Sequence, residues 1–288
     1  MPVGKIKMNQ IAVKDALHLF LNEDLGFGDL SSETIFPVEA QGEGTFLLKA
    51  DGVVCGLFIA PLVYELLGGQ VEFTPLVAEG SYQSAGTILA KVTGPIRTLL
   101  TGERTILNLW QRMGGIATAT RIACERLADP SIKICDTRKT APGLRLFDKY
   151  AVTQGGGFNH RFGLDDGVML KDNHISFAGG IPTAVKKARQ QLGHMVKIEV
   201  EVETKEELQA AIEAQVDVIM FDNRTPTEVK EFQQLVPAGI TTEISGGITL
   251  ENIANYQGTG ADCISLGFLT HSVTALDISF NSKEGVKG

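Results

Sequence analysis

The sequence predicts an α/β barrel preceded by a smaller α+β module. After Gly114-Gly115, short apolar strands alternate with stretches of helical period. Strand-then-helix units of this length build a parallel sheet, and their number brings it to closure or close to it. Before that point the apolar segments are short, β-rich and punctuated by glycine, without the alternation. Almost every strand inferred in the second part ends in polar or charged residues, and a barrel keeps its working groups at those ends.

Taken in order, residues 11–21 read as an amphipathic helix with Ile11, Ala12, Ala16, Leu19 and Phe20 near one face, closed by Gly26-Phe27-Gly28-Asp29. Strand segments follow at 44–50, 71–75 and 87–92, set off by Gly52, Gly80, Gly86 and Gly94, with a helix at 59–67 between them. Pro95 suits the opening of a long helix through Glu103-Arg104 to Trp110. Barrel strands are expected at 132–136, 167–171, 196–202, 218–222, 241–245 and 263–267. Helices are expected between them at 182–192, 205–214, 226–235 and 250–256.

Composition narrows the function. The chain has 288 residues, 43% of them hydrophobic, enough for a large core. A net charge of -8 argues against a nucleic-acid partner. The longest apolar run, 53–67, is broken by Gly56, Pro61 and Glu65, so no membrane span is expected. The segment Met-Pro-Val-Gly-Lys-Ile-Lys lacks the apolar stretch of a signal peptide. Cys55, Cys124, Cys135 and Cys263 show no metal spacing and read as reduced, mostly buried thiols of a cytoplasmic protein. Cys135 as a nucleophile beside Asp136 is disfavoured, because strand alternation sends the two side chains to opposite faces.

Ser245-Gly246-Gly247 follows one strand and Ser265-Leu266-Gly267 ends the next, with Thr270-His271-Ser272 close behind. Paired glycine loops on adjacent final strands let backbone N–H groups approach a phosphate, and the stretch at 250–256 would add the positive end of a helix. The segment 133–174 holds seven Lys or Arg against five Asp or Glu, a basic patch in an acidic chain. Within it Arg138, Arg161 and Lys171, near His160, would suit a small substrate with more than one carboxylate. Lys133, Arg145, Lys149, Asp148 and Asp165 read instead as surface ion pairs. Glu199 and Glu201 share a strand face and need a cation or ligand if that face points inward. Asp222-Asn223 ends the next strand, where a metal-bound pyrophosphate or ribose hydroxyls would satisfy it.

These residues resemble quinolinate phosphoribosyltransferase over nearly the whole chain. The resemblance rests on Gly102-Glu103-Arg104 with Leu107-Asn108-Leu109, on Gly115-Ile116-Ala117-Thr118, and on Asp136-Thr137-Arg138-Lys139-Thr140 with Pro142-Gly143-Leu144-Arg145. It continues through Gly155-Gly156-Gly157, Asn159-His160-Arg161, Lys171-Asp172-Asn173-His174 and Glu199-Val200-Glu201-Val202. Asp222-Asn223, Ser245-Gly246-Gly247-Ile248 and Leu269-Thr270-His271-Ser272 complete it. Gly114, Phe162 and Phe221 stand where serine, methionine and leucine are expected, and none of the three is a charged position.

The resemblance implies an α/β sandwich domain over 1–113, with the tail 270–288 packing back on it. It implies an incomplete barrel over 114–269, of about seven strands rather than the usual eight. It also implies transfer of phosphoribosyl from phosphoribosyl pyrophosphate to quinolinate, giving nicotinate mononucleotide, pyrophosphate and carbon dioxide, with Mg2+. Arg138, His160, Arg161 and Lys171, with Thr137 beside them, are expected at the quinolinate carboxylates. Arg104 is expected to reach the site of a second subunit in a homodimer or larger assembly. Lys139, Lys171, Glu201 and Asp222 are expected around the ribosyl pyrophosphate and its metal. Ser245, Gly246, Gly247, Leu266, Gly267, Phe268 and His271 are expected around the 5-phosphate. A nicotinate phosphoribosyltransferase and a molybdenum-transport-associated binding paralogue are the alternatives. The number of cationic residues argues against the first, and the intact Asn-His-Arg and Lys-Asp-Asn-His motifs against the second.

Overall fold

The computed structural model describes residues 8–282. The segment read as lacking a signal-like run, 1–7, and the end of the tail, 283–288, lie outside the described residues. In chain order the elements begin with α1 (Gln10–Leu25), α2 (Leu30–Ile35), β1 (Gln41–Leu48), β2 (Gly52–Val53) and α3 (Ile59–Leu66). Next come β3 (Glu72–Pro75), β4 (Tyr82–Gln83), β5 (Ile88–Pro95), α4 (Ile96–Leu127), β6 (Lys133–Cys135) and α5 (Arg145–Gln154). Then follow β7 (Val168–Leu170), α6 (Asp172–Ala178), α7 (Ile181–Gln191), β8 (Ile198–Val202), α8 (Lys205–Glu213), β9 (Val218–Asp222) and α9 (Pro226–Gln233). The chain ends with β10 (Thr241–Ser245), a 3-10 turn (Ile253–Tyr256), β11 (Cys263–Ser265), α10 (Phe268–His271) and β12 (Ile278–Ser282). It divides into two compact units: residues to Ala119 with Ala141–Gly155 and those from Ser272, and Thr120–Thr140 with Gly156–His271.

The first unit is built on an antiparallel sheet in the order β12-β1-β5-β3. Phe46 and Leu48 on β1 point into its core. There the Trp110 ring lies 4.7 Å from Phe46 and its Nε1–H donates to the Gly56 carbonyl at 2.6 Å. The buried row of α1 is Val13, Leu17 and Leu21, spaced i, i+4, i+8, whereas Ile11 and Leu19 of the expected face are exposed. The stripe was misplaced because apolar residues occupy both sides of this helix; α3 packs against it, and Phe20 meets Phe147 of α5 at 5.9 Å.

Two further expectations for this unit change. The helix α4 does not stop near Trp110 but passes through Gly114-Gly115 to Leu127. The glycines make room rather than break the helix: a Cβ on Gly115 would sit 2.1 Å from the Thr274 carbonyl oxygen, and one on Gly114 would sit 2.8 Å from Leu276. Asp148 and Lys149 are not surface residues, since both are buried. Arg112 donates to both oxygens of Asp148, from Nε at 2.7 Å and from Nη2 at 2.8 Å. Burial of that kind requires a partner.

The second unit is an incomplete α/β barrel whose six-stranded parallel sheet runs β6-β11-β10-β9-β8-β7. A seventh extended position, Phe158, bridges in parallel to Cys135 at the outer edge of β6. Across the remaining seam, Arg161 Nη1 donates to the Gly167 carbonyl at 2.8 Å. On β8, Ile198, Val200 and Val202 are buried on one face, which leaves Glu199 and Glu201 on the other by alternation. The helices α8 and α9 open with capping boxes, Thr204 with Glu207 and Thr225 with Glu228. The helix expected at 250–256 reduces to the 3-10 turn, so the loop before it has less helix dipole than anticipated. No helix among the described residues is long and apolar enough to cross a membrane.

Candidate active site

The strand ends of the second unit surround two adjoining cavities. The larger, about 420 Å³, is lined by Ser245, Gly246, Gly247, Gly267, Phe268 and His271, with Thr137 and Lys139 on its other side. Gly246 and Gly247 have φ of +87° and +65°, a region only glycine enters without strain. A Cβ on Gly246 would also meet the Asn223 side chain at 2.1 Å. Gly267 starts a second bare turn, its carbonyl accepting from the backbone N–H groups of Thr270 and His271. A Cβ there would touch both His271 and Lys139 at 3.1 Å. Leu266, expected at this site, is buried and does not line the cavity. Its N–H instead pairs with the Cys135 carbonyl.

The smaller cavity, about 170 Å³, is lined by Arg138, His160, Arg161, Lys171, Glu201 and Glu243, and shares Thr137, Lys139, Ser245 and Ser265 with the first. The turn after β6 sets the cations: Thr137 Oγ1 accepts from the Lys139 N–H at 3.0 Å, and the Lys139 carbonyl accepts from Thr270 Oγ1 at 2.9 Å. Arg138 Nε is buried and has no hydrogen-bond partner. An unmet donor of this kind calls for a ligand. Asp136, whose role the sequence left open, is fully buried. It accepts from Asn159 Nδ2 at 2.5 Å and from the His160 N–H at 2.9 Å, and so anchors the loop that carries Arg161.

The acids have separate surroundings. Glu201 forms an ion pair with Lys171. Burial raises its carboxyl above the usual range; Lys171 opposes this, while Asp222 and Glu199 add to it. Asp222 lies at the end of β9, where it accepts from Asn223 Nδ2 at 2.8 Å, outside the lining of the smaller cavity. Glu199 and Glu243 are both buried, and Glu243 lines the smaller cavity. His160 Nε2 stands 3.0 Å from Glu199 and 3.6 Å from Glu243. Ser265 donates to Glu243. Burial first, then the charge of Glu199, pushes Glu243 up to about 8. The Cys135 thiol is driven well above its ordinary value, first by its hydrogen bond with Cys263 and then by burial. That is the reverse of what a thiolate nucleophile needs.

Arg104 lies on the part of α4 that belongs to the first unit and is exposed, with Glu103 at 3.8 Å. Met169, Met220, Glu243 and Ser265 line the smaller cavity without having been singled out. Glu243 and Ser265 did leave a signal, since both belong to polar strand ends, and Glu243 shares a face with Ser245 two residues on. The two methionines are apolar and left none.

Comparison with known proteins agrees with this architecture. Residues 29–114 match the family model of the quinolinate phosphoribosyl transferase N-terminal domain, and residues 116–281 that of its C-terminal domain. A protein of Bacillus subtilis (strain 168) named probable nicotinate-nucleotide pyrophosphorylase [carboxylating] is 53% identical over 95% of this chain and 94% of its own. The chloroplastic nicotinate-nucleotide pyrophosphorylase [carboxylating] of Arabidopsis thaliana is 40% identical over 93% of this chain and 82% of its own. The crystal structure of NadC from Streptococcus pyogenes superposes with a TM-score of 0.92 at 37% identity, covering 96% of this chain and 98% of that one. The chain belongs to the quinolinate phosphoribosyl transferase family.

Proposed function

We infer that the protein transfers phosphoribosyl from phosphoribosyl pyrophosphate to quinolinate with decarboxylation, yielding nicotinate mononucleotide, pyrophosphate and carbon dioxide for NAD biosynthesis. The observation that carries this reading is the pairing of a glycine-lined cavity with a cationic one, joined at Thr137, Lys139, Ser245 and Ser265. The first suits a sugar phosphate and the second a small dicarboxylate.

In this reading the 5-phosphate rests on Ser245, Gly246, Gly247 and Gly267, beside Phe268 and His271. Lys139 faces the pyrophosphate. Arg138, Arg161 and Lys171 receive the two carboxylates, with Thr137 as a hydrogen-bonding neighbour. As pyrophosphate leaves, positive charge builds on the ribose, and the carboxylates of Glu201 and Asp222 stabilise it. The pyridine nitrogen forms a bond to that ribosyl carbon. The ring, now cationic, holds the electron pair left when the neighbouring carboxylate departs as carbon dioxide, and a proton from solvent then takes that pair. Positioning and electrostatics carry the reaction without a covalent enzyme intermediate.

Glu201 and Asp222 fit a magnesium ion. They are oxygen donors from adjacent strands, close enough for the charge of one to raise the carboxyl of the other, and a cation relieves that repulsion. Magnesium, when bound with pyrophosphate, neutralises charge on the leaving group. We also propose a cytoplasmic setting, supported by cysteines not joined in disulfides. A homodimer or larger assembly, in which Arg104 reaches a second subunit's site, is supported by the exposure of Arg104 on an otherwise apolar stretch of helix. Release of labelled carbon dioxide from carboxyl-labelled quinolinate, dependent on phosphoribosyl pyrophosphate, tests the reading; release with neither substrate preference nor phosphoribosyl dependence would sink it.

A further inference from the structure

His160 lines the cationic cavity, yet both of its ring nitrogens are already engaged. The Arg161 backbone N–H donates to Nδ1 at 2.8 Å. A nitrogen that accepts a hydrogen bond carries no proton, so the ring proton belongs to Nε2. Nε2 lies 3.0 Å from Glu199 Oε2, which is the acceptor it faces. An imidazolium would set a second proton, on Nδ1, against the N–H of Arg161.

The groups around the ring come from several strands. Glu199 is on β8, Glu243 on β10, Ser265 and Cys263 on β11, and Asp136 follows β6. Ser265 donates to Glu243, and Asp136 takes the backbone N–H of His160. The other oxygen of Glu199, Oε1, is buried with no hydrogen-bond partner among the described residues, so the carboxylate is turned to His160 through Oε2. The loop 159–161 is therefore clamped three times: by Asp136 at its backbone, by Glu199 at the imidazole, and by the Gly167 carbonyl at the Arg161 guanidinium.

We propose that His160 is a positioning residue, held as the neutral Nε2–H tautomer between Glu199 and the Arg161 backbone, which presents Arg161 to the substrate rather than binding a substrate carboxylate itself. The tautomer stands on the hydrogen-bond geometry alone, whereas the consequence for Arg161 rests on the reading that this cavity receives quinolinate.

The test uses the full chain labelled with 15N-histidine, with the His160 signals assigned by their loss in His160→Gln. One protonated nitrogen, Nε2, and one bare nitrogen, Nδ1, are expected, unchanged when quinolinate is added. Protonation of both nitrogens, or a proton arriving on Nδ1 with quinolinate, overturns the proposal. In kinetics, Glu199→Leu removes the acceptor, and about a tenfold rise in the KM for quinolinate is expected with the KM for phosphoribosyl pyrophosphate little changed. Glu199→Gln keeps an acceptor oxygen and is expected to recover most of that loss, which a protonated, ion-paired His160 would not allow. Equal losses in the two variants, or equal effects on both substrates, also overturn it. If Glu199→Leu does not fold, the tautomer measured on the unaltered chain decides. If the unaltered chain releases no carbon dioxide from quinolinate, the functional reading fails and the tautomer result still stands.

Discussion

At the scale of single residues, the two cations of the Thr137-Arg138-Lys139 turn differ in the cavities they line. Arg138 lines only the smaller cavity and keeps an unpartnered Nε, whereas Lys139 lines both cavities. Arg138→Ala is expected to raise the KM for quinolinate, and Lys139→Ala to lower kcat, each reducing kcat/KM by about 10²-fold or more with the thermal midpoint little moved. Steady-state kinetics with each substrate varied in turn, beside a thermal melt, checks both; near wild-type turnover in the pair would refute the assignment. Glu243 carries a separate prediction about pH. Its value in the fold, about 8, lies above the ordinary 4.5, so the folded chain holds this proton more tightly than the unfolded one. The stabilisation is complete below about 4.5 and is lost as pH rises through about 8. Glu243→Gln keeps an acceptor for Ser265 and removes the titration, so melting temperatures should vary less with pH across that interval than in the unaltered chain. The two cations were legible because charge at a barrel strand end is conspicuous. Asp136 was not, because its partners Asn159 and His160 lie on a separate segment of chain that only the fold brings beside it.

Among elements, the strands were easiest to find and the packing glycines hardest. The strands β9 and β10 begin and end where the sequence placed them, at 218–222 and 241–245. Local sequence could not reveal that α4 continues past Gly114-Gly115, since glycine normally weakens a helix and the reason for it here is a chain segment far away in sequence. Gly115→Ala tests that explanation because two effects oppose each other. Helix propensity favours alanine by about 1 kcal/mol. The new Cβ would lie 2.1 Å from the Thr274 carbonyl, a backbone atom that cannot simply rotate away. Overpacking of this sort costs about 1–3 kcal/mol, so a net loss of stability is expected. Denaturant midpoints decide the sign, and a more stable variant would mean the glycine is there for some reason other than space. The helix expected at 250–256 failed for a different reason. Its apolar spacing is genuine, but Thr249 and Asn252 exchange local bonds that favour a tight turn, with Asn252 Oδ1 accepting from the Thr249 N–H at 2.8 Å.

For the whole molecule, the family was legible from ordered motifs spread along the chain, but its assembly is not written in any one of them. Arg104 is the residue through which assembly and chemistry would meet. It sits exposed in the first unit, while the groups proposed to hold quinolinate belong to the second. If Arg104 serves a neighbouring copy, Arg104→Ala and Lys139→Ala should each be nearly inactive alone. A mixture allowed to exchange subunits should then recover activity. In a dimer holding one of each, the site that keeps Lys139 also receives an intact Arg104, whereas the other site lacks both. Random exchange makes half of the dimers mixed, each with one working site, so roughly a quarter of wild-type turnover should return. If Arg104 acted within its own chain, every site in the mixture would lack one cation, and none would return. Measuring turnover against time after mixing, with size-exclusion chromatography to follow the exchange, separates the two arrangements.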